Sequence, residues 1–339
     1  MMQKRVIRNV MWLVALCATA MVVGVFALCV GSGGILVKDI PSVILNATNS
    51  ASYSILFDIR LPRILLGFGV GGALSLAGVI LQAMFRNPLV EPYTLGISGG
   101  AALGACLGIV LNLVALCGTW CLPLSGFLGA CVVILAIYSL AVRKHALNTR
   151  DLLLAGVMIS FICSSLVMLV MAISRVEELH GIIFWIMGSL EEPDLLLVKI
   201  ALAVAILSLA VSYFFCLDLN ALTLGEEEAA HLGVSVENTK RILFLITCIA
   251  TGFSVSVAGV IGFVGLVVPH LMRLCFGNDH RFLLVASWIG GGAFLVLCDT
   301  VARTIISPLE LPVGVITGIL GGSIFIYVVS RKPVMTGDR

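Results

Sequence analysis

Apolar residues in this chain run in blocks of about twenty, the length that carries an α-helix across bilayer hydrocarbon. The blocks fall at 9–30, 61–84, 93–112, 121–142, 151–172, 194–216, 241–260, 262–276, 282–303 and 312–330, and charge, Pro or Gly stands between them. None alternates apolar and polar residues with period two, so a barrel is excluded. The pattern predicts an all-α, polytopic membrane bundle of ten helices forming one domain over residues 1–339. The eighth block is short, and Phe263–Gly265 with Pro269 predicts a break from the seventh, because Pro removes a backbone donor and clashes with the preceding turn.

Composition agrees. Of 339 residues, 60% are hydrophobic and 11% charged, with mean hydropathy +1.16; soluble helices must show water a polar face, and these do not. A net charge of +2 gives nucleic acid no electrostatic footing. Most cysteines stand singly in apolar blocks and read as small hydrophobes; Cys117 and Cys121 alone are close enough to suggest a disulfide. Lys4, Arg5 and Arg8 ahead of Val10–Val30 resemble a signal peptide, but that run is long enough to span and reads as a retained first helix.

Basic residues orient the bundle. With the N-terminus cytoplasmic, the inner loops hold Lys4, Arg5, Arg8, Arg86, Arg143, Lys144, Arg150, Lys240, Arg241, Arg281, Arg331, Lys332 and Arg339. The outer segments hold only Lys38, Arg60, Arg63, Arg175 and Arg303. Both termini are therefore expected inside. Ser75–Ile80 (SLAGVI) recurs as Ser256–Ile261 (SVAGVI), and Gly-Gly-Ala follows each, at Gly99–Ala101 and Gly291–Ala293. This suggests an inverted repeat. Clustered glycines, such as Gly67, Gly69, Gly71 and Gly72, predict close helix contact.

No enzyme signature occurs: there is no phosphate loop, no HExxH and no GxSxG. His145, His180, His231, His270 and His280 lack the spacing of a helical ligand pair, so no metal site is expected. The informative polar segments are Arg60-Leu61-Pro62-Arg63, Arg86–Pro92 followed by Leu95–Ser98, Leu224–Val234, Gly262–Arg273 followed by Asp279–Arg281, and Asp299 and Arg303 ahead of Leu311–Gly314.

In this order and spacing, those segments resemble the permease family of ABC importers for ferric siderophores, haem and cobalamin. The likeness extends from about residue 55 to 330. It implies a homodimer with the path between subunits, two cytoplasmic ATPase subunits carrying ATP and Mg, and an extracytoplasmic substrate-binding protein. The chain itself would hold no cofactor and would lie in a bacterial or archaeal cytoplasmic membrane. Residue by residue, the resemblance assigns Gly225, Glu226, Ala230 and Gly233, within a cytoplasmic loop at 217–240, to ATPase coupling. Arg60, Arg63 and Arg303 match arginines that receive carboxylates of the binding protein. Asn148 and Thr149 fall near the cytoplasmic gate. Blocks five and ten would line the path through Met158, Ser160, Ser164, Val313 and Thr317.

The residues support parts of this independently. Gly225 and Gly233 bracket a predicted short helix whose N-terminus carries Glu226–Glu228, a charge placement that the helix dipole favours. The three arginines break the positive-inside trend, and arginine forks hold carboxylates bidentately. They could instead pair with Asp58 and Asp299, and Asp299 stands four residues before Arg303. A carrier driven by an ion gradient is the alternative, but it would need embedded acids, and Asp299 is the one plausible example. An intramembrane enzyme using His270 and Asp299 is a more remote one. Nothing in the sequence selects the cargo; ferric siderophore comes first, then haem and cobalamin.

Overall fold

The structure, a computed structural model, describes residues 2–31, 51–142, 149–192, 194–306 and 309–331. Ten helices in it are apolar along their length. They are α1 (Met2–Cys29), α2 (Leu61–Met84), α3 (Ile97–Val110), α4 (Cys121–Val142), α5 (Thr149–Ile173), α7 (Leu195–Phe214), α10 (Val236–Ala258), α11 (Val264–Phe276), α12 (His280–Thr304) and α13 (Val313–Arg331). Shorter helices lie between them, among them α6 (Val176–Met187), α8 (Cys216–Leu222) and α9 (Glu226–His231). Seven of the ten are long enough to cross a bilayer, and α3, α11 and α13 are shorter. A π-helical segment, Ile55–Arg60, leads into α2 without interruption.

Helix α2 is the axis of the bundle. Along its most apolar stretch 89% of residues are buried, against 6% in α1, which lies on the periphery. Both sequences are equally oily, so hydropathy does not separate them; side-chain size does. Where Gly71 meets Gly291 of α12, a Cβ on either residue would come within 2.3 Å of the other's carbonyl oxygen. Only glycine admits that approach, and the gain is dispersion contact along the whole helix pair, since lipid supplies no hydrophobic drive between helices. Large side chains fill the rest: Leu66, Leu74 and Leu295 in one cluster, Leu76, Ile80 and Leu243 in another.

Three local expectations change. The break after the seventh block lies at Gly259–Phe263, while Pro269 sits inside α11. Its missing donor therefore does not end that helix. A contact from the segment before α3 holds the break: Ile261 N–H donates to the Tyr93 hydroxyl at 2.8 Å, and the Glu91 carboxyl lies near the Phe263 N–H. Burial pushes the Glu91 carboxyl up to about 7, opposed by that N–H. The repeated hexapeptide does not repeat as structure. Ser75–Ile80 lies within unbroken α2, whereas Ser256–Ile261 crosses the end of α10, with Gly259 at φ +70°. Finally, α6 occupies a stretch that the apolar pattern left as an outer connection.

Candidate functional site

Charged side chains gather at the two ends of α2. Its 24 residues span about 36 Å at 1.5 Å per residue, so the two gatherings are a membrane's thickness apart.

At the Arg63 end, the sequence-selected arginines come together, and all three are buried: Arg60 is 3% exposed, Arg63 7% and Arg303 3%. Of the two arrangements that the sequence left open, the fold shows the pairing with Asp299 for Arg63 and Arg303. A buried guanidinium needs carboxylates, and the chain supplies its own. Arg63 Nε and Nη2 each lie 2.9 Å from Asp299 Oδ1. Its Nη1 donates to Glu310 at 2.7 Å and to Glu191 at 3.1 Å. Asp299 also pairs with Arg303 Nε at 3.0 Å across one turn of α12. Arg60 donates instead to the Leu28 carbonyl at 2.7 Å, and its Nη2 is buried without a partner among the described residues. Asp299, the embedded acid that a gradient-driven carrier would need, is thus neutralised by two arginines.

Glu191 and Glu310 lie in connections, the first between α6 and α7, the second ahead of α13. The carboxyl of Glu191 is raised, by burial first and then by its hydrogen bond to Glu310. Glu310 is lowered: the Arg63 charge and its hydrogen bond outweigh the effect of burial. Clefts of about 410 and 470 Å³ flank Arg63, lined by Trp185, Ser189, Glu191 and Pro312 on one side and by Asp58, Leu190 and Glu192 on the other. Sequence reasoning did not find Glu191 or Glu310.

At the other end, α9 forms between Gly225 and Gly233. Its C-terminus closes with two backbone bonds, Val234 N–H to the Ala229 carbonyl at 3.0 Å and Gly233 N–H to the Ala230 carbonyl at 2.9 Å. This arrangement requires a left-handed residue at Gly233, whose φ is +87°. Ala229 packs inward against Ala221 and Leu222. Lys240, 2% exposed, reaches from α10 to Glu226 at 2.9 Å and fixes the helix N-terminus. The remaining face, with Glu227, Glu228, Ala230, Leu232 and Gly233, is exposed. Leu224 and Leu232 are 64% and 66% exposed, an apolar pair flanking acidic residues. Nearby, Asp279 caps α12 and accepts from Asn220 of α8 at 3.2 Å. The Arg281 guanidinium, backed by that amide, holds the Asp279 carboxyl down to about 2.

The other selected residues divide. On α5, Met158 and Ser164 are exposed and Ser160 half-buried. On α13, Val313 is 1% exposed and Thr317 0%, a correction to their expected place on the path wall. Four residues apart, they share the inward face; Val313 N–H donates to the Gly188 carbonyl, and Thr317 donates to Gly314. The apolar and aromatic side chains that α13 exposes include Val315, Ile319, Leu320, Ile326 and Tyr327. Asn148 lies outside the described residues, as do Lys38, the basic residues at 143–144, and the side chains of Thr149 and Cys117. Among the described residues, no group of His, Cys, Asp and Glu is arranged to hold a metal. His280 is buried, its backbone N–H donating to Asn220 Oδ1 at 2.9 Å.

Residues 19–331 match the FecCD transport family. Over 290 residues the chain is 40% identical to the hemin transport system permease protein HmuU of Yersinia pestis, covering 84% of this chain and 86% of that one. It is also 40% identical over 276 residues to the cobalamin import system permease protein BtuC of Halobacterium salinarum, covering 81% and 73%. A solved structure of a metal-chelate type ABC transporter in an inward-facing conformation superposes with a TM-score of 0.83, at 29% identity, over 96% of this chain and all of that one.

Proposed function

The chain belongs to the FecCD transport family, a permease subunit of an ABC importer, and from that premise we propose that two copies of it enclose a path for a metal chelate entering the cytoplasm. A ferric siderophore is the first choice of cargo, with haem and cobalamin next. The Arg63 end faces outward and receives a substrate-binding protein. The α9 end faces the cytoplasm and seats two ATPase subunits, which bind and hydrolyse ATP with Mg. Both termini lie on the cytoplasmic side of the inner membrane.

The observation that carries this reading is the construction of α9. It is exposed on one face, yet tied to the bundle by the Lys240–Glu226 ion pair and the backbone closure at Gly233. Such a segment transmits a push, because a rigid lever passes on a displacement that a floppy loop would absorb. ATP shifts the direction of opening only through contacts that differ between the two states, and α9 supplies a surface where they can differ. The path wall is the exposed apolar face of α5, including Met158, Phe161, Ile162 and Leu169. An inert wall suits a large cargo that must be released as readily as it enters. Asn148 and Thr149 remain assigned to the cytoplasmic gate on resemblance alone.

The test is Glu226→Ala combined with Gly233→Asp, reconstituted in proteoliposomes with its ATPase and binding subunits. Uptake of a ferric siderophore, haem or cobalamin should fall at least about tenfold, while membrane abundance is kept and ATP hydrolysis continues uncoupled. Normal uptake by this variant would remove α9 from the coupling role.

A further inference from the structure

The Arg63 guanidinium has two edges with different occupants. Nε and Nη2 are filled by Asp299, which is 2% exposed and rigidly placed on α12. Nη1 is filled by Glu191 and Glu310, whose side chains are 65% and 30% exposed and come from connections between helices. The first edge is therefore built into the bundle. The second is held by groups that water reaches, and an ion pair whose carboxylate is partly solvated is more easily exchanged than one closed inside the bundle. Two carboxylates also crowd one nitrogen, so each weakens the other's hold by like-charge repulsion.

Charge balance sharpens the contrast. Arg63 and Arg303 share one buried carboxylate, Asp299, and Arg60, bonded to backbone carbonyls, adds a third positive charge beside Arg303; Glu191 and Glu310 supply two negative charges at Arg63 that balance the remainder. Without them two positive charges would be left, one of them on Arg60, whose buried Nη2 is already unpartnered among the described residues. Clefts on both sides of Arg63 open this edge to an incoming side chain.

We infer that Glu191 and Glu310 are placeholders, which occupy the outer edge of Arg63 until an acidic side chain of the docking partner displaces them. The inference rests on the proposal that a substrate-binding protein docks at this end. It adds that docking is an exchange of carboxylates rather than an addition, and that the exchange frees two connections. Those connections act together: the Gly188 carbonyl accepts from Val313 N–H at 3.2 Å, and a Cβ on Gly314 would lie 2.3 Å from the Met187 carbonyl oxygen. The end of α6 and the start of α13 thus move as one piece. Occupancy of Arg63 by the partner would release that piece from α2.

The experiment measures docking of the apo substrate-binding subunit on the permease–ATPase complex in lipid nanodiscs. Glu191→Gln with Glu310→Gln removes the competitors while keeping their shape, and should tighten docking by about five- to tenfold, chiefly through faster association. The same pair placed on Arg63→Ala should tighten it less than twofold, because the competition is for Arg63. Glu191→Gln alone, at the more exposed position, should tighten docking in the same direction, and it decides the matter if either multiple variant does not assemble. Unchanged or weaker docking by the glutamine variants, with the wild type docking normally, would overturn the inference and leave the importer reading standing. No docking by the wild-type complex would overturn both.

Discussion

The two ends of α2 solve the problem of keeping charge beside a membrane in opposite ways. At the Arg63 end, three arginines are hidden, and two of them, Arg63 and Arg303, are neutralised by carboxylates drawn from α12 and two connections. At the α9 end, acids are displayed, and a backbone closure with one lysine holds their helix in place. Buried charges must be matched, so the first end is fixed by its partners and changes state only when partners are exchanged. Exposed charges are solvated already, so the second end is fixed by backbone geometry and can be pushed without breaking an ion cluster. Exchange suits a surface that must sense arrival; rigidity suits one that must pass on force.

The largest expected effect comes from Asp299→Asn, which leaves Arg63 and Arg303 sharing a neutral amide in the bundle. Breaking a buried pair in this way costs about 3–5 kcal/mol, so thermal unfolding in detergent should drop steeply. Glu191→Gln should shift it by less than about 1 kcal/mol. Equal losses for the two would erase the distinction between the built and the exchangeable edge of Arg63. A smaller effect is expected of Gly233→Ala. A Cβ there meets nothing within 4 Å, so the penalty is conformational alone, about 1–2 kcal/mol for a left-handed residue. Faster hydrogen exchange confined to the α9 amides would register it. If protection elsewhere falls as well, α9 is part of the core rather than a lever on it.

The smallest effect concerns pH. The Asp279 carboxyl, held down to about 2 by Arg281 and Asn220, favours the folded state while it is ionised. That contribution is complete above the ordinary carboxylate value and disappears as pH falls through about 2. Stability of the wild type should therefore decline more steeply than that of Asp279→Asn between pH 4 and 2, measured by unfolding in detergent. Parallel profiles would remove Asp279 from the clasp between α8 and α12.

Hydropathy revealed the ten apolar helices because each is a long run between breaks, and a long run needs no tertiary information. It missed α6, whose twelve residues include Glu177, Glu178 and His180, too short and too polar for a spanning block. It also could not orient α13. With apolar residues all round, no face is marked, and Val313 and Thr317 were expected on the path although they turn inward. The Asp299–Arg303 pair was legible, being one turn apart. Glu191 and Glu310 were not, since they stand 128 and 247 residues from Arg63 and only the closed bundle brings them to it. Glycine clusters predicted close contact without naming the partner, and the pairing of Gly71 with Gly291 emerges from the fold alone.

The carbonyl contacts between Gly71 and Gly291 also make α2 a gauge that cannot be re-cut. Adding one residue between Arg63 and Gly71 would turn the arginine by about 100° and lift it by about 1.5 Å, out of reach of Asp299. The glycine face cannot turn to compensate, because any other face would bring a Cβ against the α12 backbone. Length variation in this chain should therefore collect in the connections at 189–192 and 309–312, where a lost or gained residue alters how firmly Arg63 is held without changing where it stands.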